Sequence, residues 1–414
     1  MSLINMVIFI ISKHFYAENF NCTKQILITF WFTECNQNFE WSKIMRFKLH
    51  FIFICVLILV SVAYAEPVHV VDSMGRNIDL DAPAEEIGVV NLNVAEAIRV
   101  IGAWDKVIAT DGGLPGTGLE SYYPNLDKLQ SLNAPNISSP DQKFVLDYEK
   151  IMEMKPDLII VSYQSNVPMT MYQDMIDNLE PEVPVMFIEL GIPDTYANSL
   201  MKLGEVTGNT EGAQKYIDFY NGIIDSIKAK TSTLTDEEKP DVFIKLAGYT
   251  PDQLYTNGAK SDSWNQIFSI VGADSITADV DAGWVELDPE WILGKKIDAI
   301  IMQCWSKFYP ESFGYTATNP TEKTKAAEQI ISDIDGMEIF SKTKAVRDGN
   351  VFLIDSQLTG TPRFIIGIAY YAKWLHPELF EDLDPEQLHY EYLKNFIGAD
   401  IDLDKVGLFA YPEV

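Results

Sequence analysis

The sequence predicts an α/β protein of two lobes of similar plan, each built on a parallel sheet, joined by a single helical segment. Three observations predict this. Short apolar runs alternate with helically spaced segments in both halves of the chain, as in parallel βαβ units. A middle stretch has helical spacing and no strand signal. Finally, one helix-to-strand passage is written twice. "LDYEKIMEMKPDLII" (146–160) and "LDPEWILGKKIDAII" (287–301) align without a gap at an offset of 141 residues, identical at eight of fifteen positions. A length of 414 residues also exceeds what one compact core accommodates and suggests two domains.

Residues 1–65 stand outside this plan. Residues 1–44 are aromatic and apolar without clear periodicity and read as an extension upstream of the true start at Met45. From there Arg46 and Lys48 precede "LHFIFICVLILVSV" and Ala63-Tyr64-Ala65, the order of a secretory signal peptide cleaved after Ala65. A retained anchor is the other reading, although the apolar run falls short of the ~20 residues that span a bilayer. The protein is therefore expected to be exported, periplasmic or at the cell surface. Cleavage removes Cys22, Cys35 and Cys55 and leaves Cys304, which excludes an intramolecular disulfide and a cysteine metal cluster. Residues 1–65 hold five of the 31 basic and three of the 60 acidic residues, so the remainder carries a net charge of −31. Such a field repels nucleic acid and anionic lipid, favours basic partners and keeps the chain soluble.

The first half, 66–209, is read as an N-terminal α/β lobe. "IGVVNL" (87–92) is a strand, "VAEAIRVIGA" (94–103) a helix and "KVIAT" (106–110) a strand. The repeated passage adds a helix that should stop near Lys155, before Pro156, and then "LIIVSY"; "PVMFIEL" (184–190) follows. From Asp194 to about Thr233 the pattern is helical. Within it, residues 210–230 place Tyr216, Ile217, Tyr220, Ile223, Ile224 and Ile227 at three- and four-residue steps. Residues 210–234 are read as the bridge. The C-terminal lobe, 235–414, contains "VFIKLAG" (242–248), helix "WNQIFSIVG" (264–272), the second repeat with "IDAIIMQ" (297–303), "NVFLID" (350–355), and a helical tail broken at His376-Pro377.

No nucleophile elbow, phosphate loop or H-E-x-x-H is present. His69, His376 and His389 show no ligand spacing, which disfavours an imidazole-built metal site, so no catalytic or metal-ligating residue is assigned. In open parallel sheets ligands lie beyond the carboxyl ends of the strands. Those positions hold Asn93, Tyr122, Tyr123, Tyr163, Tyr249, Trp284, Trp305, Tyr309 and Arg363. Aromatic side chains with a few polar anchors suit a bulky, flat or partly apolar ligand; ordinary loop packing explains any one of them. Glu149 and Glu290 occupy the same place in the two repeats, two residues after Asp147 and Asp288, which are placed as helix N-caps. A first-turn carboxylate also gains ~0.3–1 kcal/mol from the helix dipole. Capping and a paired surface role both remain open for these glutamates.

Nearly the whole segment after Ala65 resembles the periplasmic substrate-binding proteins of iron–siderophore and vitamin B12 ABC importers. The resemblance rests on "IGVVNLNVAEAIRVIGAWDKVIATD", "DYEKIMEMKPDLIIV", "VELDPEWILGKKIDAIIM", and "AVRDGNVFLID" with "TPRF", in this order. It implies two Rossmann-like lobes bridged by one rigid long helix, the class III arrangement. It also implies a monomer with no catalysis and no resident cofactor, which delivers a metal chelate to a permease dimer. Ferric siderophore is the first expectation, corrinoid or haem the next. By the same resemblance Glu149 and Glu290 match the glutamates that pair with arginines on the permease, and Trp284 matches the family's second-lobe cleft tryptophan. Lys143 stands where the first-lobe aromatic belongs, which argues against a B12-type aromatic clamp and, with Arg363, leans toward an anionic ligand. A chelatase- or nitrogenase-like enzyme that holds a cofactor between such lobes is the alternative from another class.

Overall fold

The computed structural model describes residues 66–111, 114, 117–133, 145–164, 167–246, 252–360 and 362–413. The extension and the signal segment, 1–65, lie outside these residues. The described chain begins with an antiparallel hairpin, β1 (Val68–Val71) and β2 (Asn77–Leu80). Five parallel strands follow: β3 (Ile87–Val90), β4 (Val107–Thr110), β5 (Gln130–Ser131), β6 (Leu158–Ser162) and β7 (Val185–Ile188), in the sheet order β5-β4-β3-β6-β7. Helix α1 (Leu92–Val100) follows β3, α2 (Tyr148–Met154) precedes β6, and α3 (Met169–Leu179) joins β6 to β7.

Local chemistry sets these boundaries. The strand expected over 87–92 ends at Val90 because Asn91 turns the backbone to φ 87° and its side chain accepts the Asn93 N–H, starting α1. Helix α2 opens at Asp147, whose carboxylate accepts the Lys150 N–H at 3.1 Å. It closes at Lys155 in the left-handed conformation, one residue before Pro156.

The long helical stretch is two helices, α4 (Pro193–Thr207) and α5 (Thr210–Thr231). Gly208, at φ 69°, ends the first, and Asn209 caps the second by accepting the Gly212 N–H. Asn209 also donates to the Ile101 carbonyl at 2.7 Å, and a Cβ on Gly212 would collide with that same oxygen, so glycine lets α5 start against the end of α1. The apolar stripe from Tyr216 to Ile227 is buried throughout, each isoleucine contributing roughly 1.5–3 kcal/mol.

Beyond α5 the chain forms β8 (Asp241–Lys245), β9 (Tyr255–Asn257), α6 (Asp262–Val271), β10 (Asp274–Ser275), β11 (Trp284–Glu286) and α7 (Pro289–Ile292). Then come β12 (Ala299–Cys304), α8 (Lys323–Asp335), α9 (Lys344–Asp348), β13 (Val351–Asp355), α10 (Phe364–Leu375), α11 (Pro385–Tyr392), a π turn at Leu393–Ile397, and β14 (Ala410–Tyr411). The second sheet runs β10-β8-β12-β13-β14, parallel except for β14. Strands β9 and β11 form a separate antiparallel ribbon.

Buried side chains form three clusters. The largest is continuous from one face of the first sheet, through α4, α5, α6 and α10, to one face of the second. The other two cover the opposite face of each sheet. The two sheets thus share one core across the helices between them. No described helix is long and apolar enough to cross a membrane.

Candidate functional site

The repeated passages fold alike. Strands β6 and β12 begin at Leu158 and Ala299, equivalent letters of the repeat. Leu146 and Leu287, and Ile151 and Ile292, are buried in both copies. Asp147 and Asp288 cap α2 and α7, the second accepting the Glu290 N–H at 2.7 Å. Asp157 accepts the N–H groups of Glu85 and Glu86 at 2.8 and 2.9 Å, and Asp298 accepts that of Asp241 at 3.0 Å. Each aspartate therefore ties the entrance of the neighbouring parallel strand, β3 or β8. Glu149 and Glu290 are exposed in the first turns of α2 and α7, and among the described residues neither side chain enters a hydrogen bond or ion pair.

The carboxyl ends of the strands carry a mixed group of side chains. Trp305 follows β12, is 39% exposed, and stacks on Phe308 at 5.9 Å with the rings 13° apart. Trp284 opens β11, is 57% exposed, and lies 5.7 Å from Tyr255. Asn93 sits half-buried in the first turn of α1 after β3. Tyr122 is half-buried against the shared core, and Tyr163, just after β6, lies against Tyr172 at 5.3 Å. Lys143 and Tyr249 lie outside the described residues. Sequence reasoning passed over two buried ionisable groups here. Lys245, at the end of β8, donates to the Leu246 carbonyl at 3.5 Å, and burial lowers its pKa to about 8. Asp355, at the end of β13, is pushed up to about 7 by burial, against a hydrogen bond from the Gln357 N–H and the charge of Arg363. Among the described residues no cluster of three His, Cys, Asp or Glu side chains is placed to hold a metal ion.

Three expected cleft residues point elsewhere. Tyr123 is buried edge-on against Trp104 at 4.8 Å, because the loop after β4 folds back onto the shared core. Tyr309 packs beside Phe313 on the outer core of the second sheet, where burial raises its pKa. Arg363 is fully buried. Its Nε and Nη2 reach the two carboxylate oxygens of Glu96 at 2.8 and 3.0 Å, Nη1 donates to Gln357 at 3.0 Å, and its guanidinium lies 5.6 Å from the Tyr315 ring. Tyr392 donates to Glu96 at 2.5 Å. Burial opposes the charge on Arg363, but Glu96 more than offsets it and raises the pKa. The pair joins α1 of the first lobe to α10 of the second, and Arg99 adds a bond to the Ile397 carbonyl at 2.5 Å. The readable clue was Glu96, an acidic letter inside the apolar run "VAEAIRV".

With two sheets braced through a shared core and each repeat placing one unengaged glutamate, the comparison with known families is decisive. The profile described as "Periplasmic binding protein" matches residues 87–358. The chain belongs to the periplasmic binding protein family. Among curated relatives, the iron(3+)-hydroxamate-binding protein YxeB of Bacillus subtilis (strain 168) is 18% identical over 254 residues, 60% of this chain and 70% of its own length. The vitamin B12-binding protein of Salmonella choleraesuis (strain SC-B67) is 22% identical over 214 residues, 51% of this chain and 73% of its own length. The crystal structure of the TroA-like periplasmic binding protein FepB from Veillonella parvula superposes with a TM-score of 0.67 at 20% identity, covering 84% of this chain and 100% of that one. At that identity the likeness is one of fold.

Proposed function

We propose that the protein is the extracytoplasmic substrate-binding component of an ABC importer, exported by a signal peptide cleaved after Ala65, with no catalytic step of its own. Its ligand is a metal chelate, a ferric siderophore before a corrinoid or haem, held beyond the carboxyl ends of the strands and handed to a membrane permease. The observation that carries this reading is the pair of exposed tryptophans of the second lobe, Trp305 just after β12 and Trp284 on the β9–β11 ribbon, each backed by a second ring. Exposed rings of this kind give a flat, partly apolar ligand large contact area with few torsions to freeze. Two relatives in the same family are named for an iron(3+)-hydroxamate and for vitamin B12. Among the described residues Glu149 and Glu290 have no side-chain partner, and they serve the permease.

One experiment tests both halves. Ferric hydroxamate, ferric catecholate, cobalamin and haem are each titrated against the protein while tryptophan fluorescence is followed. One chelate quenches saturably, and free iron, zinc or nickel ions do not. The variant Glu149→Arg with Glu290→Arg quenches like the parent but does not support uptake of the labelled chelate in cells. Saturable binding of free ions alone would remove the chelate reading. A large affinity loss in the double variant would move the glutamates to the ligand.

A further inference from the structure

Among the described residues, six large apolar side chains are exposed: Val71, Val145, Met169, Trp284, Leu293 and Trp305. The two tryptophans belong to the ligand edge. Of the other four, Leu293 and Val145 stand within four residues of the duplicated glutamates in sequence, and Met169 opens the helix tied to α2. Leu293, 57% exposed, follows Glu290 by three residues at the end of α7, so both side chains share one helix face. Val145, 42% exposed, stands just before the Asp147 cap and lines a groove with Leu146, Tyr148, Thr170, Met171 and Asp174. Met169, 54% exposed, opens α3 next to Thr170. The Tyr148 hydroxyl donates to Asp174 at 2.7 Å and pins α2 to α3 across that groove.

Duplication does not account for these side chains. Met152 stands where Leu293 does in the other copy, and it is half-buried against the core of the first lobe. Each lobe therefore exposes apolar groups on the segments that carry or adjoin its glutamate helix, from different sequence positions. Strengths separate the roles. An exposed ion pair is worth about fivefold at most in an equilibrium constant. A leucine or methionine moved from water into a contact is worth roughly ten- to a hundredfold. Two carboxylates alone orient and speed an encounter; they do not hold it.

We infer that Leu293 on one lobe, and Met169 with Val145 on the other, are the apolar anchors of the permease contact, the glutamates being its steering charges. The partner surface then carries, on each half, a cationic group beside an apolar socket. This rests on the permease reading above. The measurement is binding of the purified protein to its importer's permease in lipid nanodiscs, at about 50 and about 500 mM NaCl. Leu293→Ser and Met169→Ser each weaken binding about tenfold at both salt concentrations. Glu149→Gln with Glu290→Gln weakens it at low salt and progressively less at high salt. Chelate quenching and unfolding curves stay at parent values in all variants. If the serine variants bind within twofold of the parent while the glutamine variant does not, the anchors are refuted and the permease reading survives. If none of the changes alters permease binding, both are refuted. If sedimentation shows the parent self-associating and either serine change abolishes that, the patch joins two copies and the inference is wrong.

Discussion

Residues 146–160 and 287–301 share eight letters, yet α2 has seven residues and α7 only four. Gly294, where the first copy has Glu153, ends the second helix early. The strands after them still begin at equivalent residues. The shared leucine and the three shared isoleucines are buried in both copies. The first shared aspartate caps a helix, and the second ties the neighbouring strand. The shared lysine does different work: Lys155 takes the left-handed position that closes α2, whereas Lys296 bridges Asp241 and Asp298 at 2.7 Å each. Among the described residues, only the glutamate keeps its place with no side-chain partner inside the fold. A letter held twice without structural duty is the residue to assign to a partner.

The comparison breaks at the tie between the lobes, where the largest effect is expected. Glu96 and Arg363 have no counterpart pair in the duplicated passage, and both are almost fully removed from water. Glu96→Gln leaves a buried guanidinium without its countercharge and should cost about 3–5 kcal/mol in urea unfolding. Replacing both partners by methionine should recover most of that loss. If Glu96→Gln unfolds like the parent, the ion pair adds nothing to the tie and the shared core alone holds the lobes together.

A smaller effect sharpens the comparison inside the repeat. Asp157 is exposed, whereas Asp298 is buried and also meets Lys296 at 2.7 Å and Lys344 at 3.4 Å. Asp298→Ala should therefore cost about 2–3 kcal/mol and Asp157→Ala about 1 kcal/mol. Burial works to raise the pKa of Asp298, but Lys296, the Asp241 N–H and Lys344 outweigh it and bring it below the usual carboxylate value. Its stabilisation is thus present above the unfolded-state pKa and lost as pH falls through the folded-state one. The gap between parent and Asp298→Ala should stay constant near neutrality and close below about pH 4. Equal costs for the two alanines would mean that the ion pairs around Asp298 add nothing.

Much of this architecture was legible because it is written in periodicity. The stripe from Tyr216 to Ile227 marks α5 almost to the residue, and Pro156 marks the end of α2. Strands β9, β10, β11 and β14 have two or three residues each, too few to show alternation, so the ribbon and the antiparallel edge went unread. The bridge read from residue 210 starts where Gly208 and Asn209 separate α4 from α5. The site was less legible, since burial of a loop residue depends on where the loop folds. Tyr122 and Tyr123 are neighbours in sequence, but one is half-exposed and the other packs on Trp104. Arg363 follows Pro362 in a loop-like motif, and nothing local points to Glu96, 267 residues earlier.

The smallest effect on folding carries the most weight for the comparison. Glu149→Gln and Glu290→Gln remove only a first-turn charge from exposed positions. Each should leave the unfolding free energy within about 0.5 kcal/mol of the parent, the ordinary range for surface changes and the lower half of the range for helix-dipole losses. Their neighbours in the repeat behave otherwise: Asp147→Ala and Asp288→Ala remove caps and should cost about 1 kcal/mol each. The contrast is read from four urea curves measured under identical conditions. A glutamate variant as destabilised as its capping neighbour would show that the duplicated carboxylate serves the helix. The case for a partner would then rest on the apolar side chains alone.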